Sequence, residues 1–298
     1  MKSVTVQDHI SKVLERAKET FDGQVAPPAE KLIFNMTKCK SRLFRQRMIE
    51  PLVPIIDSEP AASWLTVGDG WGQEAHHLRS FGAKVVATDI DTSFLQDVHA
   101  AGLIDRFESQ NLEKLTYQDR SFDYVVAKEM LHHLSRPYLG IYEMMRVARK
   151  AVVIIEPQDP KINESLSMQA EGAKEEYEAR LYDNTPFFFE PVGNYIYRFS
   201  EREFEKVAYG VGRTKVAFKG LNDMASEATR IDVNNDQEGF KKLLQELAIK
   251  DHISMRGLRR YEYIMAIIFM DKLEDSLADS LVRQGWNIRT LMQNPYIS

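Results

Sequence analysis

The chain has a single cysteine, Cys39, among its 298 residues, so no disulfide can close within it, which fits a reducing compartment. It also lacks any run approaching the roughly 18 consecutive apolar residues a membrane span needs. Its opening, MKSVTVQDHISKVLERAKETF, has no apolar core of a secretory signal, so a soluble, cytoplasmic protein is expected. Glycine and proline are modest, at 15 and 11, and follow no fixed period, which excludes collagen-like and low-complexity architectures. There is no excess of positive charge either. The formal net charge of -5 argues against the broad basic field of a nucleic-acid binder. One local exception stands out: Lys31, Lys38, Lys40, Arg42, Arg45 and Arg47 occur with no acidic residue among them. This segment is either a solvated helix face or a site for a phosphate-bearing substrate or partner.

What is present is ordinary globular material, 44% hydrophobic and 28% charged. A chain of this length buries about three quarters of its unfolded surface and needs no structural metal, and no metal-ligand spacing occurs in the sequence. Ile10, Val13, Leu14, Ala17 and Phe21 recur at helical spacing, and a second helical stretch over about 29–50 precedes Pro51 and Pro54. From 63 to 157 the texture changes to short apolar runs alternating with helical patterns. The runs are WLTVG from Trp64, KVVATD from Lys84, IDRFES from Ile104, FDYVVA from Phe122 and AVVIIE from Ala151. Continuous β-branched runs suit strands covered on both faces, as in a parallel sheet. Before the last of them, Tyr138, Ile141, Tyr142, Met145 and Ala148 are expected on one helix face. Right-handed crossovers then give an α/β, doubly wound sheet.

Beyond Pro157 the alternation is interrupted. Residues 161–182 look helical and charged, and TPFFFEPVGNYIYRFS is aromatic and turn-rich, as expected of an irregular segment over a cleft. Ser200 and Glu203 form a capping-box pattern. KVAFKGL from Lys215 and YEYIMAIIFM from Tyr261 are expected to be strands. Between them Phe240, Leu243, Leu244 and Leu247 should share a helix face, and a last helix with Leu273, Leu277 and Leu281 should stop near Gly285.

The first strand runs into Val67-Gly68-Asp69-Gly70-Trp71-Gly72, with a helix expected from Gln73. Glycine allows the positive φ and close backbone approach that a tight strand-to-helix turn over a ligand needs, and the helix N-terminus supplies N–H groups. A dinucleotide fingerprint wants its third glycine where Gln73 stands, which disfavours a nicotinamide-dependent oxidoreductase. The second strand ends at Asp89-Ile90-Asp91, where doubly wound sheets present a carboxylate to ribose hydroxyls. Asn111-Leu112 follows the third strand, so three successive strand ends offer glycine, acid and amide.

In these features, together with FDYVVAKEMLHHL after the fourth strand, the chain resembles the class I S-adenosylmethionine-dependent methyltransferases of small-molecule type, over roughly residues 60–157. The resemblance implies a Rossmann-like, seven-stranded, mostly parallel sheet whose last strand is the antiparallel one at Tyr261. It implies an N-terminal helical cap over 1–60 and a methyltransferase domain over 61–298, with substrate-covering inserts at about 158–199 and 222–258. S-adenosylmethionine would be the cofactor. Val67, Gly68, Asp69, Gly70 and Gly72 would line its methionine part, and Asp89 and Ile90 its ribose. Asn111 and the backbone of Leu112 would meet adenine, with Ala127 and Lys128 beside the cofactor. Thr66 and Asn111 both replace carboxylates of the family pattern, and an amide oxygen still accepts from an amino group.

Methyl transfer to a hydroxyl requires proton removal within about 3 Å. The candidate bases are His132, His133 and Glu129. The resemblance favours His132, and the alternative for the histidine pair is one ring packed inward and the other exposed. Tyr195, Tyr197, Arg198 and Phe187–Phe189 are expected to wall the acceptor site, or the phenylalanines to form a satellite core. Glu156 and Pro157 would place a carboxylate at the cleft mouth. The expected activity is O-methylation of a small-molecule acceptor, a phosphorylated metabolite such as a sugar nucleotide or glycan intermediate. Two rivals remain open, an RNA-modifying methyltransferase and a non-catalytic cofactor-binding scaffold. Homo-oligomer formation is also left open by the sequence.

Overall fold

The computed structural model describes residues 40–159, 195–222 and 237–296. The amphipathic segment at 10–21, the charged stretch 161–182 and Phe187–Phe189 lie outside them. Two helices come first, α1 (Lys40–Ile49) and α2 (Val53–Ser58), joined by a 3-10 turn over Glu50–Leu52. There follow β1 (Ser63–Val67), α3 (Gln73–Ser80), β2 (Lys84–Asp89), α4 (Ser93–Ala100), β3 (Phe107–Ser109) and β4 (Phe122–Lys128). A 3-10 turn at Leu131–His133 leads to α5 (Pro137–Val147), β5 (Ala148–Pro157) and α6 (Glu201–Gly210). The chain continues through β6 (Lys215–Leu221), α7 (Gln237–Met255), β7 (Tyr263–Phe269), α8 (Asp275–Arg283) and β8 (Asn287–Thr290).

The strands form one sheet in the order β3-β2-β1-β4-β5-β7-β6-β8. β1 to β5 are mutually parallel, whereas β7 runs antiparallel to both β5 and β6. Strand order reverses at β1 and β4, and the crevice above their carboxyl ends is where a doubly wound sheet takes its ligand.

The continuous apolar runs have the expected cause. On β5, Ala151, Val153 and Ile155 enter the core layer shared with α1–α4 and α8, while Val152 and Ile154 face α5 and α6. All five are fully buried, and a side chain of this size stabilises by roughly 1.5–3 kcal/mol when wholly removed from water. The capping box of α6 is present, with both reciprocal Ser200–Glu203 bonds made.

Three expectations are corrected. The sheet has an eighth strand, β8, paired antiparallel with β6, so the strand at Tyr261 is not the last. β8 is short, half-exposed NIRT, which carries no apolar run; the buried Trp286 before it fixes the segment by donating Nε1–H to the Pro51 carbonyl at 2.9 Å. On α5, Tyr138 and Tyr142 are exposed, while Gly140, Ile141, Met144 and Met145 are buried. A Cβ at Gly140 would lie 2.8 Å from Leu134 and 3.2 Å from Leu112, so the helix packs through its glycine, an anchor that hydrophobic periodicity does not register. Ala148 already belongs to β5. On α7, Leu243 and Leu247 are buried but Leu244 faces outward.

Candidate active site

The glycine loop leaves β1 at Val67. Gly68 and Gly72 have φ of 68° and 64°, the left-handed region that glycine adopts without a Cβ penalty. The loop's glycines serve different ends. A Cβ at Gly70 would stand 3.1 Å from Asp89 Oδ2, so the carboxylate lies against bare backbone. A Cβ at Gly68 would collide with Met130, and one at Gly72 would press on Leu95, Val98 and Ile104, so Gly72 makes room for the core below α4. Asp69 is buried beneath the loop. Its carboxylate accepts from the Ala75 and Glu74 N–H groups at 2.8 and 3.3 Å and from Thr66 Oγ1 at 3.0 Å, which ties β1 to the first turn of α3. Burial, with the nearby Glu74 charge, pushes the Asp69 carboxyl well up.

Asp89 ends β2 and accepts from the Asp91 N–H at 3.0 Å. Burial raises its pKa, opposed by its backbone hydrogen bonds and by the charge of His133. Ile90 beside it is exposed. Asn111 Oδ1 accepts from the Glu113 N–H at 2.9 Å, so the amide is oriented by its own turn, and the Leu112 side chain is buried against α5. The glycine loop, Asp89 and Asn111 thus follow three neighbouring strands of the sheet, with the Asp89 carboxylate against the bare backbone of Gly70.

The other flank is built from long-range pairs. Ala127 is buried in β4. Lys128 Nζ is also buried, 3.2 Å from Glu74 Oε1 and 2.6 Å from Glu129 Oε2. Burial penalises the Glu74 charge, but Lys128, a hydrogen bond with Asp69 and the Arg45 charge together outweigh this and hold its pKa down to about 2. Glu129 has φ 48°, a conformation that costs a non-glycine residue energy and is found where the surroundings enforce it. Its Oε1 accepts from the Tyr263 hydroxyl at 2.7 Å. Burial works against its charge too, but Lys128 and Tyr263 keep its pKa below the usual carboxylate value.

His132 is buried and His133 half-buried rather than exposed, their rings 4.2 Å apart. His132 Nδ1 lies 2.6 Å from Glu156 Oε2, and Glu156 Oε1 accepts from the Met130 and Leu131 N–H groups at 2.9 and 2.7 Å. Glu156 is fully buried. It does not sit at the cleft mouth, as the sequence suggested, but under the His132 ring, because the turn after β4 folds back over the end of β5. Tyr263, Glu74 and Met130 drew no notice in the sequence; each becomes meaningful only through a partner distant in the chain or an unmade Cβ.

Tyr195 and Tyr197 pack edge to face at 4.9 Å. Arg198 lies among Asp159, Tyr195 and Tyr263, and burial lowers its pKa against their opposing charges. Arg47 is paired with Asp251 of α7 at 2.8 Å, so that part of the basic segment is neither a solvated face nor a ligand site. Among the described residues no group of His, Cys, Asp or Glu is arranged to hold a metal, and no helix is long and apolar enough to cross a membrane.

Residues 65–155, which span β1 to β5 and hold the loop, Asp89, Asn111 and the histidine pair, match the family model described as a methyltransferase domain. The match covers about a third of the chain and gives that segment alone the description of a methyltransferase domain. No curated protein matches it. Among solved structures it is similar to YcgJ of Bacillus subtilis, at 15% identity and a TM-score of 0.49, covering 75% of this chain and 99% of that one. It is also similar to phosphoethanolamine N-methyltransferase 2 of Haemonchus contortus in complex with S-adenosylmethionine, at 16% identity and a TM-score of 0.48 over 75% and 52% of the two chains. Magnesium protoporphyrin IX methyltransferase of Synechocystis, with S-adenosylhomocysteine bound, is similar at 16% identity and a TM-score of 0.40 over 58% and 75%. The acceptors of the last two differ from each other, and neither carries over to this chain.

Proposed function

We propose that this chain is an S-adenosylmethionine-dependent methyltransferase acting on a hydroxyl oxygen of a small metabolite, with His132 as the base that removes the proton. The observation carrying this reading is the 2.6 Å contact between His132 Nδ1 and the buried Glu156 carboxylate. A carboxylate already accepting two backbone N–H groups takes the Nδ1 hydrogen, which fixes the tautomer with Nε2 as the basic nitrogen and stabilises the imidazolium that forms.

Bound S-adenosylmethionine supplies an electrophilic methyl on its sulfonium. Gly68, Gly70, Asp89, Ile90, Asn111, the Leu112 backbone and Ala127 would hold it, and Val67, Asp69 and Gly72 keep the loop in shape. His132 would take the acceptor's O–H proton at Nε2, the new bond to oxygen forming as the sulfonium's bond to the methyl breaks and leaves a neutral thioether. Glu129, kept ionised by Lys128 and Tyr263, is the weaker base and serves to shape the acceptor side. Tyr195, Tyr197 and Arg198 wall that side. The Arg198 cation supports an anionic acceptor, in the class of sugar nucleotides, glycan intermediates or other phosphorylated metabolites.

The test is transfer of a labelled methyl from S-adenosylmethionine to a panel of phosphorylated sugars and hydroxylated metabolites. His132→Ala should slow transfer about 100-fold or more while S-adenosylhomocysteine binds as tightly as before. Normal turnover by that variant, or label found on nitrogen or carbon, would overturn the reading.

A further inference from the structure

The connection from α7 to β7 carries apolar side chains in water among arginines. Residues 255–260, MRGLRR, are all exposed, Met255 to 70% and Leu258 to 80%. This exposure does not come from a frayed helix end. Gly257 has φ 72°, its N–H donates to the Ser254 carbonyl at 2.9 Å, and the Leu258 N–H donates to the Ile253 carbonyl at 3.2 Å, the paired closure of a helix by a left-handed glycine. In that closure the residue after the glycine commonly folds back on the last helical turn, yet Leu258 keeps most of its surface in water. Beyond it, Arg259 donates to Glu262 and Arg260 to the Asp159 carbonyl. A lone exposed leucine is ordinary. Two large apolar side chains three residues apart, on a backbone tied at both ends and beside three arginines, serve no packing of the fold. The charge is local too: residues 250–262 hold Lys250, Arg256, Arg259 and Arg260 against two carboxylates, in a chain of net charge -5. Both carboxylates are engaged, Asp251 by Arg47 and Asn222, and Glu262 by Lys250 and Arg259. A guanidinium has five N–H donors, so these contacts leave Arg259 and Arg260 able to meet a further anion.

We infer that this tip docks the protein on an anionic lipid surface, with Met255 and Leu258 entering the interface and the arginines meeting the headgroups. Apolar area removed from water and basic side chains near an anionic leaflet add to each other in such binding. Nucleic acid would engage the arginines, but single strands also stack on aromatic rings, which Met255 and Leu258 do not supply. A second copy of the chain, paired through the same surface, would set the arginines against one another. The inference is independent of the methyltransferase reading. It does give that reading an orientation: β7 begins beside the end of β5, with Tyr263 opposite Pro157 and bonded to Glu129, so a chain docked through this tip turns the carboxyl edge of its parallel strands toward the lipid.

The experiment is co-sedimentation of the whole chain with vesicles of phosphatidylcholine alone and of phosphatidylcholine mixed equally with phosphatidylserine. The wild type is compared with Arg256→Gln and with the double variant Met255→Gln, Leu258→Gln; all three positions are exposed, so thermal unfolding should not change. The wild type should bind the mixed vesicles, more weakly as salt is raised, and leave the neutral ones free. The double variant should lose about tenfold in affinity, and Arg256→Gln about fivefold. In Leu258→Trp, tryptophan emission should shift to the blue on the mixed vesicles, because an indole at this tip would enter the interface. Wild-type protein left in solution with the mixed vesicles overturns the inference. So does a double variant that binds them as the wild type does, or an unshifted emission from Leu258→Trp. Binding of poly(U) that Arg256→Gln abolishes, without vesicle binding, overturns it in favour of nucleic acid. Dimerisation that the double variant abolishes, again without vesicle binding, overturns it in favour of a second copy.

Discussion

The two flanks of the crevice are made of different material. Along β1, β2 and β3 the site is mostly backbone: left-handed glycines, a turn-held amide and one carboxylate resting on a bare loop. Along β4, β5 and β7 it is a packed set of charged and hydroxyl side chains, each fixed by a partner far away in sequence. The first flank can be recognised from short spacing because neighbours in the chain build it. The second gets its order from the sheet, which brings Glu129 to Tyr263 and His132 to Glu156. A backbone surface suits a ligand part common to a whole enzyme class, whereas a side-chain cluster can be rebuilt for a different acceptor without disturbing the loop.

If that contrast holds, damage should spread differently on the two sides. The largest effect is expected from Glu156→Ala, which strands two backbone N–H groups and the His132 ring in the interior. Unfolding free energy in urea should fall by about 3–5 kcal/mol, and Glu156→Gln, which keeps an acceptor oxygen, should recover part of it. A loss below about 1 kcal/mol for the alanine variant would mean that the flank is not the interlocked unit described above.

On the glycine side, Asp89→Ala should leave the fold intact and weaken cofactor binding by about 1–3 kcal/mol, the scale of hydrogen bonds to a charged group. Its pH dependence sharpens the point. Burial raises the Asp89 pKa above its ordinary value, so the carboxylate protonates earlier than a free aspartate as pH falls. Cofactor affinity should therefore decline on acidification from above that ordinary range, and the decline should be missing in Asp89→Asn. The ligand-free protein carries the opposite sign at this residue: a raised folded pKa contributes stability at low pH that is lost as pH rises through it. Titrations at several pH values, with and without cofactor, read both.

The smallest effect belongs to Tyr263→Phe. It removes the hydroxyl that donates to Glu129 and leaves the ring on Phe44, so stability should fall by about 1 kcal/mol while cofactor affinity stays unchanged. A variant that instead lost cofactor binding would join the two flanks into one unit and remove the distinction drawn between them.

Much of the fold was legible because its cause is local. Five β-branched runs and the helices between them state a parallel sheet buried on both faces, and KVAFKGL and YEYIMAIIFM lie where the strands are found. β8 was not legible, since its four half-exposed residues owe their place to an edge of β6 and to Trp286 anchored on Pro51. The face of α5 was misjudged because Gly140 packs by absence of a side chain and because tyrosines count as apolar while keeping a hydroxyl that needs a polar partner, as Tyr138 finds in Glu203.

The same division runs through the site. The order of glycine loop, Asp89, Asn111-Leu112 and the histidine pair was set by the sequence alone, because a strand-to-helix turn and a strand end need particular residue types within a few positions of each other. Which histidine turns inward, that Glu156 lies beneath it, that Lys128 reaches Glu74 and that Tyr263 holds Glu129 were decided only by tertiary structure. These are matters of proximity between charges carried on different strands and helices, and such proximity exists only once the sheet has been assembled.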